Sequence, residues 1–294
     1  MRPRITATKG TPMKTRQEIK ALAKHAMGEQ RSTAIFILLV VTLASLASGG
    51  LDRIVLNNAG WVVSVPVFWV GMILLYVLVV NSCGQYIAIY MHRPASVSAL
   101  FAGFKVNFLR KAGGSMWMTL WLFLWSLPAI VAVLAALVMF TRTIAYQPYY
   151  LITAEAFWAG GTAILIFISI PFAVLGIVKY FSYYFTLYIL ADCPEVPATG
   201  ALKVSMHITK GYKANIFIFV LSWLGWLLLS ALTFGILYIV YVGPYWSTAD
   251  AGLYIEMRNK ALADGRIKPQ DLGWEDHRPV PPNPRLEMQD NYIM

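Results

Sequence analysis

The chain has 294 residues, of which 58% are hydrophobic and only 13% are charged, and its formal net charge is +10. A soluble domain carries about 25% charged residues, so this composition excludes a protein whose whole surface faces water. The lysines and arginines lie mostly in the tails and in alternate loops, and no basic stripe with interleaved aromatic residues is present. We therefore expect a membrane protein without a nucleic-acid partner.

The first thirty residues are polar and basic and contain the signals of one helix. Residues 1–14 are expected to form a disordered leader, with Met13 as an alternative start to Met1, and no cleavable signal peptide is visible. Thr15 and Glu18 form a capping-box pattern, in which the two residues satisfy each other's free backbone amides. Apolar residues then recur at helical spacing at Ile19, Leu22, Ala23, Ala26 and Met27. This pattern predicts an amphipathic helix in front of the first span.

Six apolar blocks are long enough to cross a bilayer, which requires roughly 20 residues in a helix. The stretch from 214 to 256 is too long for one helix, and a glycine-containing break at residues 232–236 divides it into two spans joined by a tight turn. The predicted spans cover residues 32–50, 62–90, 113–140, 160–190, 214–232 and 237–256. We therefore predict an all-α, polytopic transmembrane helix bundle over residues 15–260.

The distribution of cationic residues predicts the topology, because loops rich in lysine and arginine stay in the cytoplasm. Cationic residues are dense in the N-terminal tail, in the loops after spans two and four, and directly after span six, at Arg258 and Lys260. The opposite loops contain only Arg53 and Arg142. Six spans place every rich segment and both termini in the cytoplasm, whereas five leave the C-terminus outside. Residues 261–294 are polar and Pro-rich and are predicted to be a disordered cytoplasmic tail.

Two further cytoplasmic segments resemble the helix that begins at Thr15. The second begins at Ser96 and has on one face Val97, Leu100, Phe101, Phe104 and Phe108. The third begins at Thr199 and has a weaker stripe, with Leu202 and Met206. Basic amphipathic helices of this kind lie in the headgroup plane, so we expect them to contact the lipid bilayer through anionic headgroups. The second and third segments open alike, which either reflects three parallel repeats or is a chance similarity.

Polar residues inside the predicted spans mark a candidate site. Lys179 in span four and Asp250 in span six are charged, and charges within a bilayer usually face the bundle interior or a water-filled cavity. Tyr184 lies near Lys179 in the sequence, while Asn81 and Gln85 lie one turn apart in span two. One hypothesis is a polar vestibule between spans two, four and six that opens to the cytoplasm. The alternative is that Lys179 extends alone to the membrane surface and Asp250 already lies at the interface, while the other groups form interhelical hydrogen bonds and an aromatic belt.

The sequence contains none of the familiar catalytic or metal-binding motifs. A zinc-protease HExxH, a GxSxG nucleophile elbow, a Walker A loop and a dinucleotide fingerprint are all missing. Cys83 and Cys193 do not have metal-ligand spacing. The four histidines are far apart in the sequence, at His25, His92, His207 and His277. We therefore expect no enzymatic activity, no catalytic residue, no metal and no cofactor.

Several short segments, most of them near the C-terminus, carry a family resemblance. They are residues 16–20, 201–206, 210–213, 221–226, 232–236 and 244–245. Together these segments resemble the DUF975 family of bacterial integral membrane proteins. The resemblance implies a helical membrane fold in the bacterial plasma (inner) membrane. It implies no activity, because the family is of unknown function and has no assigned site residues to transfer.

Two functional hypotheses follow from these features. The first is a non-enzymatic protein that acts through lipid and protein contacts at the cytoplasmic membrane, for example a scaffold or an envelope-maintenance factor. The second is a transporter or channel for a small solute or lipid, with the vestibule around Lys179 and Asp250 as its binding site. A membrane enzyme acting on lipid headgroups is a third hypothesis, and it requires convergent acids that the sequence does not show.

Overall fold

The computed structural model describes residues 13–145 and 152–274, and every regular element in this part of the chain is a helix. Its α-helices are α1 (Arg16–Glu29), α2 (Arg31–Ala59), α3 (Trp61–Tyr90), α4 (Val97–Ala102), α5 (Phe108–Ala145), α6 (Ile152–Ser182), α7 (Thr186–Asp192), α8 (Ala198–Thr209), α9 (Lys213–Leu221), α10 (Leu224–Leu232) and α11 (Gly243–Ala263). A π-helix, Tyr238–Val242, leads directly into α11, and a short 3-10 helix, Pro269–Leu272, follows it. The all-α fold class predicted from the sequence is confirmed.

Five segments of the described chain are long and apolar enough to cross a membrane. They are Arg31–Ala59, Trp61–Tyr90, Phe108–Val138, Gly160–Asp192 and Lys213–Leu232. In each of them no more than 22% of the most apolar stretch is buried within the protein. Apolar side chains exposed over such lengths require lipid rather than water as their surroundings, since soluble proteins rarely expose large contiguous apolar patches.

The sixth predicted span, residues 237–256, is helical but is not among these five segments. It consists of the π-helix and most of α11, and it includes Asp250 and Glu256. More than half of the α11 side chains are buried against other parts of the protein. Polar residues of this kind need protein partners in a membrane, because lipid offers them no hydrogen bonds. The structure therefore gives five apolar spans and one helix that is enclosed by protein.

The described chain divides into two compact units. The large unit combines the residues up to Met116 with those from Tyr184 onward, and the small unit is Trp117–Tyr183. The small unit consists of the greater part of α5 and of α6, which contain Pro128 and Pro171 inside their helices. Pro244, which falls within the sixth predicted span at residues 237–256, lies in the first turn of α11, where a missing amide hydrogen is tolerated.

The core of the large unit surrounds α11. This helix packs against α1, α3 and α8, and α3 also packs against α7. The closest approach is at Gly252 of α11, where a Cβ atom would lie 2.4 Å from the ring of Tyr90 on α3. The largest fully buried side chains of this unit are Trp223, Tyr254, Phe185 and Phe219. Aromatic side chains thus pack on α11, as Phe185 does on Tyr254 and Trp223 on Tyr245.

The capping box predicted at the start of α1 is confirmed. The hydroxyl of Thr15 accepts a hydrogen bond from the Glu18 amide at 3.3 Å, and the Glu18 carboxylate accepts one from the Thr15 amide at 2.7 Å. The apolar face of this helix is buried, with α11 as the main neighbour, rather than exposed to lipid. The buried side chains are Ile19, Ala23, Ala26 and Met27. The interpretation of α1 as a helix lying in the headgroup plane is therefore not supported by its packing.

The other two predicted amphipathic segments differ from each other. Helix α8 buries its apolar face against α7 and α11, as α1 does against α11. The segment that begins at Ser96 is helical only over Val97–Ala102, so the predicted stripe as far as Phe108 is interrupted. Large apolar side chains of this segment stay exposed, by 55% at Phe101 and 82% at Leu109. Among the three, this segment alone keeps a surface suited to the membrane interface.

The structure has a turn where the sequence predicted a break after α10. Phe234 and Gly235 have φ angles of 51° and 81°, and the Gly235 amide donates to the Ser230 carbonyl at 2.9 Å. At the C-terminus, order extends beyond the predicted boundary at residue 261. Ile267 and Leu272 are buried, because the chain folds back onto the protein as far as residue 274. The Pro-rich part of the predicted tail, at residues 278–285, lies outside the described residues.

Candidate functional site

The structure brings together two of the five residues predicted to form a vestibule. Tyr184 lies in the bend between α6 and α7, and its hydroxyl donates a hydrogen bond to Oδ2 of Asp250 on α11 at 3.0 Å. Both residues belong to the large unit. A carboxylate within a membrane bundle needs such a donor, because no lipid group can solvate it.

Asn81 and Gln85 fix the short helix α4 to α3. The Asn81 side chain donates to the Leu100 carbonyl at 2.8 Å, and the Gln85 side chain accepts a hydrogen bond from the Ser96 amide at 3.1 Å. These contacts correspond to the alternative that the sequence left open, in which the polar groups bond between helices. The two side chains hold α4 in place through the backbone of its N-cap residue, Ser96, and of its fourth residue, Leu100.

Lys179 belongs to the small unit, unlike the other four predicted site residues. Its ammonium nitrogen lies 4.2 Å from the centroid of the Trp125 ring, which is the geometry of a cation–π interaction. An aromatic face is a suitable neighbour for a cation in an apolar environment, because it offers negative potential without a hydrogen-bond acceptor. The vestibule that was predicted to include both Lys179 and Asp250 stays a prediction.

A buried lysine that the sequence did not single out completes the contacts of Asn81. Lys111, near the start of α5, donates to the Asn81 side-chain oxygen at 2.7 Å and to the Gly103 carbonyl at 2.9 Å. Gly103 has no room for a side chain, since a Cβ atom there would lie 2.4 Å from the Asn81 side chain. Lys111 is one of several cations between spans two and three, so the sequence gave no reason to prefer it.

A buried ion pair joins the end of α7 to α11. Arg258 donates to Oδ2 of Asp192, and the Tyr254 hydroxyl donates to the same oxygen at 3.0 Å. The guanidinium carbon also lies 5.2 Å from the centroid of the Trp274 ring. The Arg258 side chain is only 5% exposed and that of Asp192 is 21% exposed, so the guanidinium is largely removed from water. The sequence shows that Asp192 ends one apolar block and that Arg258 closely follows another. It does not show that the two residues form an ion pair.

The electrostatics of this ion pair favour its charged form. Burial by itself lowers the pKa of Arg258, but the negative charge of Asp192 and the nearby Tyr254 outweigh burial, so the pKa is raised. Cys193, beside Asp192, has its pKa raised to about 12, chiefly by burial. A thiol with this pKa is protonated at neutral pH and is a poor nucleophile or metal ligand.

Lys20 of α1 contacts the junction between α9 and α10. Its ammonium donates to the Ser222 hydroxyl at 2.7 Å and lies 4.1 Å from the centroid of the Trp223 ring. The Tyr245 hydroxyl of α11 donates to the Lys20 carbonyl at 3.1 Å. Burial lowers the pKa of Lys20, and the charge of Arg16 lowers it further, while Asp250 acts in the opposite direction. The α1 helix is therefore held by polar as well as apolar contacts.

An apolar groove of about 610 Å³ lies between α2 and α3 in the large unit. It is lined by Ala44, Ala47, Ser48, Leu51, Pro66, Val67, Val70, Gly71, Leu74, Leu75 and Leu78 of the two helices, and by Phe101 and Phe104. The two phenylalanines belong to the exposed segment around α4. The groove therefore extends along two spanning helices to the part of the chain that is expected at the membrane surface.

Three side chains of the large unit have the chemistry and spacing to hold a metal. His25 and Glu29 of α1 and His92 after α3 each offer one ligand atom, and these atoms lie within 4.8 Å of one another. Sequence reasoning missed this group, because His92 is more than 60 residues from the other two and the three do not form a recognisable motif.

Five long apolar helices and internally bonded polar groups define a polytopic helical membrane protein. The chain belongs to the DUF975 family: the model of that family, described as a protein of unknown function, matches residues 13–261. No curated protein and no solved structure matches the chain. The family resemblance noted in the sequence is thereby confirmed over most of the chain.

Proposed function

We propose that this protein is a non-enzymatic membrane protein that binds anionic phospholipid and acts through lipid and protein contacts. The observation that carries the proposal is the groove between α2 and α3, which ends at Phe101 and Phe104. The groove has almost only apolar lining, so the acyl chain of a lipid suits it better than a polar solute does.

The segment at the end of the groove suits the headgroup of the same lipid. Val106 and Leu109 are exposed, and Lys105 is exposed between Phe104 and Val106. An exposed cation flanked by apolar side chains is the pattern of a membrane-interface contact. Each lysine near an anionic leaflet contributes about 1 kcal/mol to membrane attraction. A lipid with its chain in the groove thus has its headgroup near Lys105.

Lipid retention by the purified full-length protein tests this function. Native mass spectrometry from detergent should show more retained phosphatidylglycerol than phosphatidylcholine in the wild type. Lys105→Gln should reduce the preference for the anionic lipid, and Ala47→Phe, which fills the groove, should reduce retention of both lipids. Lys203→Gln is the matched control, because Lys203 is also exposed but lies on α8, away from the groove. Equal retention by all four proteins would contradict the proposal.

The absence of catalysis is part of the proposal. Asp192 is bonded to Arg258 and Tyr254, and Asp250 is bonded to Tyr184, so each carboxylate has its own partners rather than the other carboxylate. Labelled phosphatidylglycerol that is incubated with the protein in proteoliposomes should therefore be recovered unchanged. Release of a labelled headgroup or fatty acid that depends on active protein would contradict this expectation.

We propose six spans, with both termini in the cytoplasm of a bacterial cell and the protein in the plasma membrane. The supporting observation is that the π-helix and α11 follow the turn at Phe234 and pack against other helices, which shield their polar residues. A membrane-impermeant maleimide tests this topology in cells that carry Asn58→Cys or Gln270→Cys after replacement of the two native cysteines. Labelling of Asn58→Cys in intact cells, and of Gln270→Cys only after permeabilisation, is expected. Labelling of Gln270→Cys in intact cells would favour five spans.

A transporter or channel is the second candidate function. The observation that favours it is the Tyr184–Asp250 hydrogen bond, because a buried carboxylate in a membrane helix often lies on a path for ions or solutes. Asp250→Asn and Lys179→Met should then lower a solute or lipid flux into proteoliposomes. A flux that is unchanged in both variants would leave lipid binding as the function.

A further inference from the structure

His25, Glu29 and His92 converge from two separate parts of the chain. His25 and Glu29 lie one turn apart on α1, and His92 lies in the loop between α3 and α4. Nδ1 of His92 is 2.8 Å from Oε2 of Glu29, and the ring centroids of the two histidines are 5.8 Å apart. Two imidazoles and one carboxylate thus face the same small volume.

The backbone that carries His92 is fixed by contacts that do not involve these three side chains. His92 has a φ of 52°, in a region that residues other than glycine rarely adopt, and its amide donates to the Ile89 carbonyl at 2.9 Å. The Gln30 side chain donates to the Arg93 carbonyl at 2.8 Å and accepts from the Ala95 amide at 2.9 Å. Because Gln30 directly follows Glu29, it fixes the loop against the end of α1.

We propose that His25, Glu29 and His92 bind a divalent transition-metal cation of the zinc class. Imidazole nitrogens favour such ions, whereas Ca²⁺ and Mg²⁺ require a shell made mainly of oxygen ligands. In a tetrahedral zinc site with bonds of about 2.0–2.1 Å, neighbouring ligand atoms are roughly 3.3 Å apart. The ligand atoms of His92 and Glu29 are 2.8 Å apart and all three ligand atoms lie within 4.8 Å of one another, so small side-chain rotations produce that geometry.

The exposure of the group decides what kind of site it forms. His25 and Glu29 are exposed and His92 is partly buried, so a fourth ligand position faces solvent and is open to water. A structural zinc site usually has four protein ligands in a closed shell. The site proposed here therefore exchanges its cation with solution, and the bound cation joins α1 to the loop that leads into α4.

Metal titration of the full-length protein tests this site. The protein carries an affinity tag without histidines, is purified in detergent, is treated with a chelator and is then titrated with Co²⁺ and Zn²⁺. We expect one equivalent of Co²⁺ to give the visible bands of low-symmetry nitrogen and oxygen coordination, and one equivalent of Zn²⁺ to remove them. Zn²⁺ should also raise the unfolding temperature, because a ligand that binds only the folded state stabilises it.

Three variants decide the assignment. His25→Gln alters an exposed side chain, and Glu29→Gln keeps a side-chain oxygen for the contact with His92, so both should unfold close to the wild-type temperature without metal. Both should weaken Zn²⁺ binding by at least about 100-fold, since loss of an outer-shell partner already weakens a site by about 10–100-fold. His207→Gln is the matched control, because His207 is exposed on α8 and outside the group.

Two results would overturn the proposal. One is a wild-type protein without a stoichiometric Co²⁺ spectrum, which would leave the His92–Glu29 contact as an ion pair only. The other is His25→Gln binding Zn²⁺ as tightly as His207→Gln does, which would make the metal bound by the wild type nonspecific.

Discussion

The two halves of α3 are both largely apolar, but polar residues are concentrated in the second half and the surroundings differ. In the first half, large apolar side chains such as Trp61, Phe68 and Leu74 are exposed. In the second half, from Val77 to Tyr90, most side chains are buried, and polar groups such as Asn81 are buried with them. One helix therefore passes from a region where lipid must cover its surface to a region where protein covers it.

The difference between the halves follows from their neighbours. Gly84 and Tyr90, both in the second half, lie against Ala191 of α7 and Gly252 of α11. Polar groups are tolerated there because partners are present: the Tyr86 hydroxyl, for example, donates to the Ala34 carbonyl at 3.1 Å. Polar side chains in an otherwise apolar helix thus mark the part that is surrounded by protein, as expected for membrane bundles.

The largest expected effect comes from breaking the ion pair between the two helices that cover the second half. Asp192→Ala leaves the buried guanidinium of Arg258 without its carboxylate, and breaking a buried pair in this way costs about 3–5 kcal/mol. The free energy of unfolding, from denaturant titration in detergent, should fall by that amount. In a Cys193→Ser background, Cys83 of α3 should also react faster with maleimide, because the second half of α3 loses its cover.

The control for this prediction is Asp264→Ala. Asp264 also contacts two cations, Lys260 at 3.2 Å and Arg266 at 3.3 Å, but it is exposed. Exposed ion pairs contribute about 0–1 kcal/mol, so this variant should be nearly as stable as the wild type. Equal losses of unfolding free energy in the two variants would mean that burial does not make the Asp192–Arg258 pair more stabilising than the exposed pairs of Asp264.

The second prediction compares the same substitution in the two environments of α3. Leu74 is 46% exposed and Leu78, one turn later, is 4% exposed. Leu78→Ala should lower the free energy of unfolding by about 2–3 kcal/mol, which is the lower part of the usual range for truncating a buried leucine to alanine. The loss is at the lower end because Leu78 borders the groove, so lipid can fill part of the cavity. Leu74→Ala should cost less than about 1 kcal/mol, since lipid covers that site before and after the change. Similar losses for both would argue against a lipid-covered first half.

The sequence predicts where the helices lie, but it does not predict which helices pack against one another. The span predicted at 62–90 begins one residue after α3 and ends with it, because hydropathy and turn residues are local properties. The partners of Asn81 and Arg258 are Lys111 and Asp192, which lie 30 and 66 residues away. Helical periodicity identifies a polar face but not the helix that meets it, so these pairs required the structure.

The error on α1 has a related cause. An apolar stripe beside lysines is expected both for a helix on the membrane surface and for a helix packed on a protein core, because lipid and protein interiors are both apolar. The stripe at Ile19 and Ala23 was interpreted as facing lipid, and it faces α11. Lys20 beside it is bound to Ser222 rather than to a headgroup. Charge and periodicity alone do not separate these two cases.

The third prediction concerns a polar contact of the buried half of α3. Lys111→Met should lower the free energy of unfolding by about 1.5 kcal/mol, because hydrogen bonds from a charged donor are lost while the apolar stem keeps its packing. Lys105→Met, at an exposed position six residues earlier, should have no measurable effect on folding. A double-mutant cycle with Asn81→Leu checks the assignment, since residues in contact show an interaction energy of about 0.5–3 kcal/mol. Additive losses would mean that the Lys111–Asn81 contact does not contribute to stability.

The smallest expected effect is a pH dependence that arises from Lys20, on the helix that covers α11. Its pKa in the folded protein is lowered below the ordinary value of 10.5, chiefly by burial. Between the lowered pKa and 10.5 the unfolded chain therefore binds more protons than the folded protein, and stability rises with pH in that window.

Because Lys20→Met removes this titration and leaves all others, the stability of the wild type relative to Lys20→Met should increase as the pH approaches 10.5 from below. The slope cannot exceed the value for one proton, about 1.4 kcal/mol per pH unit. A relative stability that is constant or falls over this range would show that burial does not lower the pKa of Lys20 in the folded protein.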